Sequence, residues 1–187
     1  KRAVERMKLL GTKMIRIMSY AVIKDSEDQM EQERFRRMRE IHKLFADNGM
    51  AALHENCMNY GGLSWKHTMK LIENVPGMKL IYDTGNPVFT DDHSKEKPYP
   101  KQSSWEFYSK VKKYVEHIHI KDCIFEDNLK KHTFPGEGNG DVIRVLEDLV
   151  KSGYKGDISI EPHMGIVYHE KQQVKASPEQ RYATYIE

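Results

Sequence analysis

Four residues of the chain combine type and spacing in a way that could do chemistry: Glu55, Asp83, His119 and Glu161. They lie in the short apolar runs Ala52-Leu53-His54-Glu55-Asn56, Leu80-Ile81-Tyr82-Asp83-Thr84, His117-Ile118-His119-Ile120-Lys121-Asp122 and Ile158-Ser159-Ile160-Glu161-Pro162. A fifth run, Ile15-Arg16-Ile17-Met18-Ser19, turns polar at its end in the same way. Alternate residues of a strand share a face, so each run has a packing side and a chemical side. In the third run His117, His119 and Lys121 stand opposite Ile118 and Ile120. Three carboxylates and one imidazole make a hard donor set suited to a divalent metal, Mn²⁺, Mg²⁺ or Co²⁺, and Zn²⁺ is also accommodated. Without a cation, gathered carboxylates would raise one another's pKa, and burial would add to that cost.

The elements that must hold these residues follow from the pattern between them. The runs recur about every 30 to 40 residues, with amphipathic segments between them. The expected strands are 14–19, 51–56, 79–84, 117–121 and 157–161. The expected helices end at Gly11, span 30–48, start at the N-cap Ser64, span 103–114, run from 142 toward Gly153, and close the chain over 178–186. Strands alternating with helices call for a parallel sheet with right-handed crossovers, and such sheets keep their active sites at the C-terminal strand ends. Segment 85–102 reads as a long loop placed to cover a site. Segment 122–140 reads as another loop, and its run Pro135-Gly136-Glu137-Gly138-Asn139-Gly140 offers backbone amides to an anion. The arginines between Arg34 and Arg39 read as a solvated helix face. Five strands fall short of a closed eight-stranded barrel, which takes about 250 residues. The expectation is an α/β fold, a partial (β/α)8 barrel in one domain over residues 1–187, N-terminally incomplete and cut from a longer natural product.

Composition narrows the classes. The chain has 187 residues with 39% hydrophobic and 31% charged, a globular balance, and no apolar run approaches the ~20 residues of a bilayer span. The expected location is cytoplasmic, with no membrane partner. Formal charge is +2 with acids and bases interspersed, so the concentrated positive footprint of a nucleic-acid binder is absent. Cys57 and Cys123 are too few for a disulfide framework and read as buried, inert thiols.

The succession His54-Glu55-Asn56, Tyr82-Asp83-Thr84-Gly85-Asn86-Pro87, His117-Ile118-His119-Ile120-Lys121-Asp122, Gly136-Glu137-Gly138 and Ile160-Glu161-Pro162-His163 resembles the sugar phosphate isomerase/epimerase superfamily, the xylose isomerase-like TIM barrels. The resemblance implies that the five strands are the last five of the barrel and that Glu55, Asp83, His119 and Glu161 bind one divalent metal. It also implies that Glu55 and Glu161 act as an acid/base pair on opposite faces of a substrate carbon. A sugar, sugar phosphate or related polyol or keto acid would then be isomerised or epimerised by proton transfer. A metal-dependent dehydratase or lyase, or a noncatalytic carbohydrate-binding remnant, uses the same residues. The DNA-repair members hold several metals with extra histidines that this chain does not supply.

Secondary roles stay open. His163 either orients a substrate hydroxyl or is a structural loop histidine. Lys121 has the parity to meet an anionic oxygen or phosphate. Asn86 either binds substrate or caps its loop; it stands where ketose 3-epimerases commonly carry a histidine, and Lys121-Asp122 replaces their usual Glu and Arg pattern. His54, of opposite parity to Glu55, is a core or supporting donor, and Glu137 is a candidate partner for His119. The expected partner is a small sugar-derived molecule, and a homo-oligomer is compatible with the pattern.

Overall fold

A computed structural model describes residues 1–161 and 177–179. The chain opens with helix α1 (Arg2–Leu10), closed by Gly11 in the left-handed conformation. It continues through β1 (Met14–Ile17), α2 (Glu31–Ala46), β2 (Ala51–Glu55), α3 (Trp65–Asn74), β3 (Lys79–Asp83) and the single turn α4 (Asn86–Phe89). Then come α5 (Ser104–Val111), β4 (Val115–Ile120), β5 (Asp122–Glu126), β6 (Leu129–Thr133), α6 (Val142–Lys151) and β7 (Asp157–Ile160). The order β1-β2-β3-β4-β7 forms one sheet with every pairing parallel, a half-closed barrel wall.

Strand parity decides what each face does. Ile15, Ile17, Leu80, Tyr82, Ile118 and Ile120 point outward into clusters with the helices. Under β3 and β4 lie Phe107, Tyr108 and Val111 of α5 and Val142, Val145 and Leu149 of α6. Phe35 and Met38 of α2 meet Leu71 of α3, while Val4 and Met7 of α1 meet Phe45 and Ala52. Burying these faces is the main stabilising contribution. The opposite parity, Arg16, Glu55, Asp83, His119 and, one step beyond the strands, Lys121 and Glu161, is left for the concave side. Asp83 sits beside His119 in the register, and the Glu161 N–H continues the β4–β7 ladder to the Ile120 carbonyl at 2.9 Å.

Three expectations are corrected. Residues 122–140 are not simply a loop: β5 and β6 pair antiparallel through Asp127 and Asn128, both at positive φ, the backbone of a two-residue hairpin turn. Arg34 does not belong to a solvated face. It is 6% exposed and donates to the carbonyls of Ser19 (2.9 Å), Ala21 (2.7 Å) and Gln29, clipping the connection after β1 onto α2. Its neighbours Arg36 and Arg37 pair with Glu33 and Glu40 on the exposed side, as expected. Segment 85–102 contains α4, and it leans on the loop after β2 through His93 N–H to the Leu63 carbonyl and Gln102 to the Gly62 carbonyl. Most of the expected closing helix 178–186, and His163, lie outside the described residues.

One buried and one part-buried histidine tie this fold to pH. His54 is fully buried with Nε2 3.0 Å from the Ser19 hydroxyl and 3.1 Å from Asn59 Oδ1, a core role, and burial pushes it down to about 4. Burial, with Lys70 adding to it, also pushes His67 down to about 4. Both are neutral in the fold and charge more readily when unfolded. At these two positions the unfolded chain therefore binds more protons between the ordinary histidine value near 6.5 and about 4, and their contribution to stability falls as pH drops through that window. Urea denaturation should show roughly 2 kcal/mol lost between pH 7 and 5 from His54, less from the part-exposed His67. His67→Gln should remove its share of that slope.

Candidate metal centre

Glu55, Asp83, His119 and Glu161 converge: each offers a ligand atom, and these atoms all lie within 4.8 Å of one another. His119 Nδ1 bonds Glu55 Oε1 at 2.7 Å and Glu161 Oε1 at 2.8 Å. Burial alone would depress this imidazole, but the bonds to Glu161 and Glu55 outweigh it and hold His119 up at about 9. Asp83 is fully buried, and burial raises its carboxyl to about 6 against the pull of Lys121. Its Oδ1 accepts the N–H groups of Gly85 (2.9 Å) and Asn86 (2.8 Å). Lys121 Nζ stands 2.9 Å from Oδ2 in a buried ion pair. Lys121 also reaches Glu161 Oε2 at 3.3 Å, and the Asp83 and Glu161 charges raise its pKa although burial opposes them.

Arg16, a residue to which the sequence by itself assigns no role, completes the group. From β1 its Nη1 lies 3.2 Å from Glu55 Oε2 and 3.4 Å from Glu161 Oε1. The signal available was its parity, opposite to Ile15 and Ile17 on an edge run. Three carboxylates thus face Arg16, Lys121 and a protonated His119, a balanced set. The donor set fits a divalent ion: oxygen-rich with one imidazole, its ligand atoms already within 4.8 Å of one another.

Backbone anchors set the directions. Asn56, just past β2, accepts the Asp83 N–H at 2.7 Å and donates to the Asp83 carbonyl at 3.0 Å, extending the β2–β3 ladder by side chain. The Thr84 hydroxyl donates to the Lys121 carbonyl at 2.6 Å. The glycine-rich turn does hold an anion, and it is the chain's own: the Asp122 carboxylate accepts the N–H groups of Cys123, Gly136, Gly138 and Gly140 at 2.8 to 3.0 Å. A Cβ at Gly138 or Gly140 would collide with Asp122 Oδ1, which is why this turn takes glycine. Asn86 caps its loop by backbone, with its Nδ2 buried and without an acceptor. Glu137 is exposed, and the described hydrogen-bond partners of His119 are Glu55 and Glu161 instead. Cys123 is buried and its thiol pushed up to about 12; Cys57 is half-buried and also raised, both chiefly by burial, so neither is activated.

The family model described as xylose isomerase-like TIM barrel matches residues 1–183. The chain belongs to the xylose isomerase-like TIM-barrel family. Among solved structures, the xylose isomerase domain protein of Planctomyces limnophilus superposes with a TM-score of 0.67 at 22% identity, over 84% of this chain and 55% of that one. A probable 3-DHS dehydratase from Bacillus anthracis gives 0.64 at 20%, over 86% and 61%. A xylose isomerase-like TIM-barrel protein from Mycobacterium smegmatis in complex with magnesium gives 0.64 at 18%, over 86% and 57%. At these identities the likeness shows the fold, and the chain spans 55% to 61% of the length of these family structures. No curated protein matches. Among the described residues no helix is long and apolar enough to cross a membrane.

Asp122→Ala should leave four N–H groups around a void and destabilise the chain by at least roughly 2 kcal/mol, read as a lower urea midpoint.

Proposed function

We propose that this chain carries the metal centre of a sugar isomerase or epimerase, acting on a sugar, sugar phosphate or related polyol or keto acid by proton transfer through an enediolate. The observation that carries the reading is the convergence of Glu55, Asp83, His119 and Glu161 within 4.8 Å. These four would hold the ion, with Mn²⁺, Mg²⁺ or Co²⁺ favoured by the oxygen donors and Zn²⁺ accommodated. When bound, it supplies Lewis-acid polarisation of a substrate carbonyl and adjacent hydroxyl.

Glu55 and Glu161 are the acid/base pair of this reading. Glu55 is 1% exposed and fixed by His119 and Arg16; Glu161 is more open and faces the concave side. One carboxylate takes the proton beside the carbonyl. Return by the other to the same carbon inverts it, and return to the neighbouring carbon moves the carbonyl. In this reading Lys121 and Asn86 would orient substrate oxygens, and His163 keeps its expected role toward a substrate hydroxyl as part of this proposal. The likeness to solved 3-epimerases, including D-psicose 3-epimerase with D-tagatose, and to the magnesium complex supports the reading. A dehydratase is the second reading: the Lys121 ammonium, 3.3 Å from Glu161, could protonate a leaving hydroxyl after the same first step.

Calorimetric titration should show one Mn²⁺ per chain, lost in Asp83→Ala; absence of stoichiometric binding in the parent chain would count against any metalloenzyme. With a panel of ketoses in D₂O, NMR should show deuterium entering the carbon beside the carbonyl. Glu161→Gln should slow that exchange by about 10² to 10⁴, the ordinary worth of a positioned general base.

A further inference from the structure

The charge balance of the centre turns positive when an ion enters. With Glu55, Asp83 and Glu161 set against Arg16 and Lys121, the fixed charges leave one negative. A divalent ion held by the three carboxylates and the His119 imidazole leaves one positive. A neutral sugar leaves that positive charge unbalanced in a half-buried site, whereas a ligand with one negative charge cancels it.

The two cations differ in what they can do about it. Lys121 is 8% exposed and wedged between Asp83 Oδ2 and Glu161 Oε2. Arg16 is 49% exposed at its side chain, and among the described residues only its Nη1 is engaged. The oxygens it touches, Glu55 Oε2 and Glu161 Oε1, belong to the carboxylates that would serve the ion. An ion drawing on them weakens the hold of Arg16, and its planar fork then has donors for a carboxylate or phosphate in a bidentate geometry that lysine cannot reproduce.

We propose that Arg16 selects the substrate: it receives an anionic group, carboxylate or phosphate, carried by the polyhydroxylated molecule that the centre binds. This rests on the metal-centre reading above. Arg16 is then a counter-ion for Glu55 and Glu161 in the metal-free chain and a substrate-binding residue in the loaded one.

The test is calorimetry on the Mn²⁺-loaded chain with three non-reacting probes of equal carbon number: an aldonate, an alditol phosphate and the neutral alditol. Parent, Arg16→Lys and Arg16→Met chains are compared, and the preference for an anion over the alditol is read in each. In Arg16→Met that preference should fall about tenfold, the worth of one charge-assisted bond, with Arg16→Lys between. A larger fall for the aldonate identifies a carboxylate substrate, and a larger fall for the phosphate ester identifies a phosphate. Mn²⁺ should bind Arg16→Met as tightly as the parent or tighter, because a competing cation has gone. A fall in anion preference below threefold, or weakened Mn²⁺ binding in Arg16→Met, would overturn the inference while leaving the metal centre standing. Failure of the parent chain to bind Mn²⁺ would overturn both.

Discussion

Three carboxylates at the rim of one sheet repel one another, and the concave side of this molecule is arranged around that repulsion. Glu55 and Asp83 are buried almost completely, where an unpaired charge is costly. Each is met by a cation from another strand or just beyond one: Arg16 from the edge strand β1, His119 from β4, Lys121 one residue past the end of β4. The imidazole held at about 9 is the clearest sign of this, because burial alone would have driven it the other way. A divalent ion satisfies the same need with one charge centre in place of a proton.

Positioning is done mostly by backbone. The Asn56 side chain stands in for one more rung between β2 and β3, so Asp83 is fixed by the sheet itself. The Asp122 carboxylate, closed in by four amides, pins the start of the β5–β6 hairpin and the chain that leaves Lys121. Such anchoring on rigid elements keeps the site in one geometry while the apolar faces of β3 and β4 bind it to the helices.

The placement in the xylose isomerase-like family fits this layout: strand ends supply the ligands, and connections after the strands supply surroundings that differ from member to member. Here the surroundings include two fixed cations, Arg16 and Lys121.

Much of the fold was legible because the determining signals are local. Period-two runs at Leu80–Asp83 and His117–Lys121 and helix stripes such as Phe35–Met38 state their own burial, and the regular βα spacing puts Glu55, Asp83, His119 and Glu161 on a common rim. The hairpin over 122–133 escaped because its polar Lys130-Lys131-His132 strand carries no apolar face to mark it. Arg34 looked like its neighbours, since helical periodicity cannot tell that a loop from residues 18 to 30 folds back over one arginine and buries it. Arg16 and the closed Asp122 nest depend on residues up to 145 positions apart meeting in space. Sequence alone could name the ligand types, whereas which cation faces which carboxylate is a matter of strand register and loop return, settled only when the sheet is assembled.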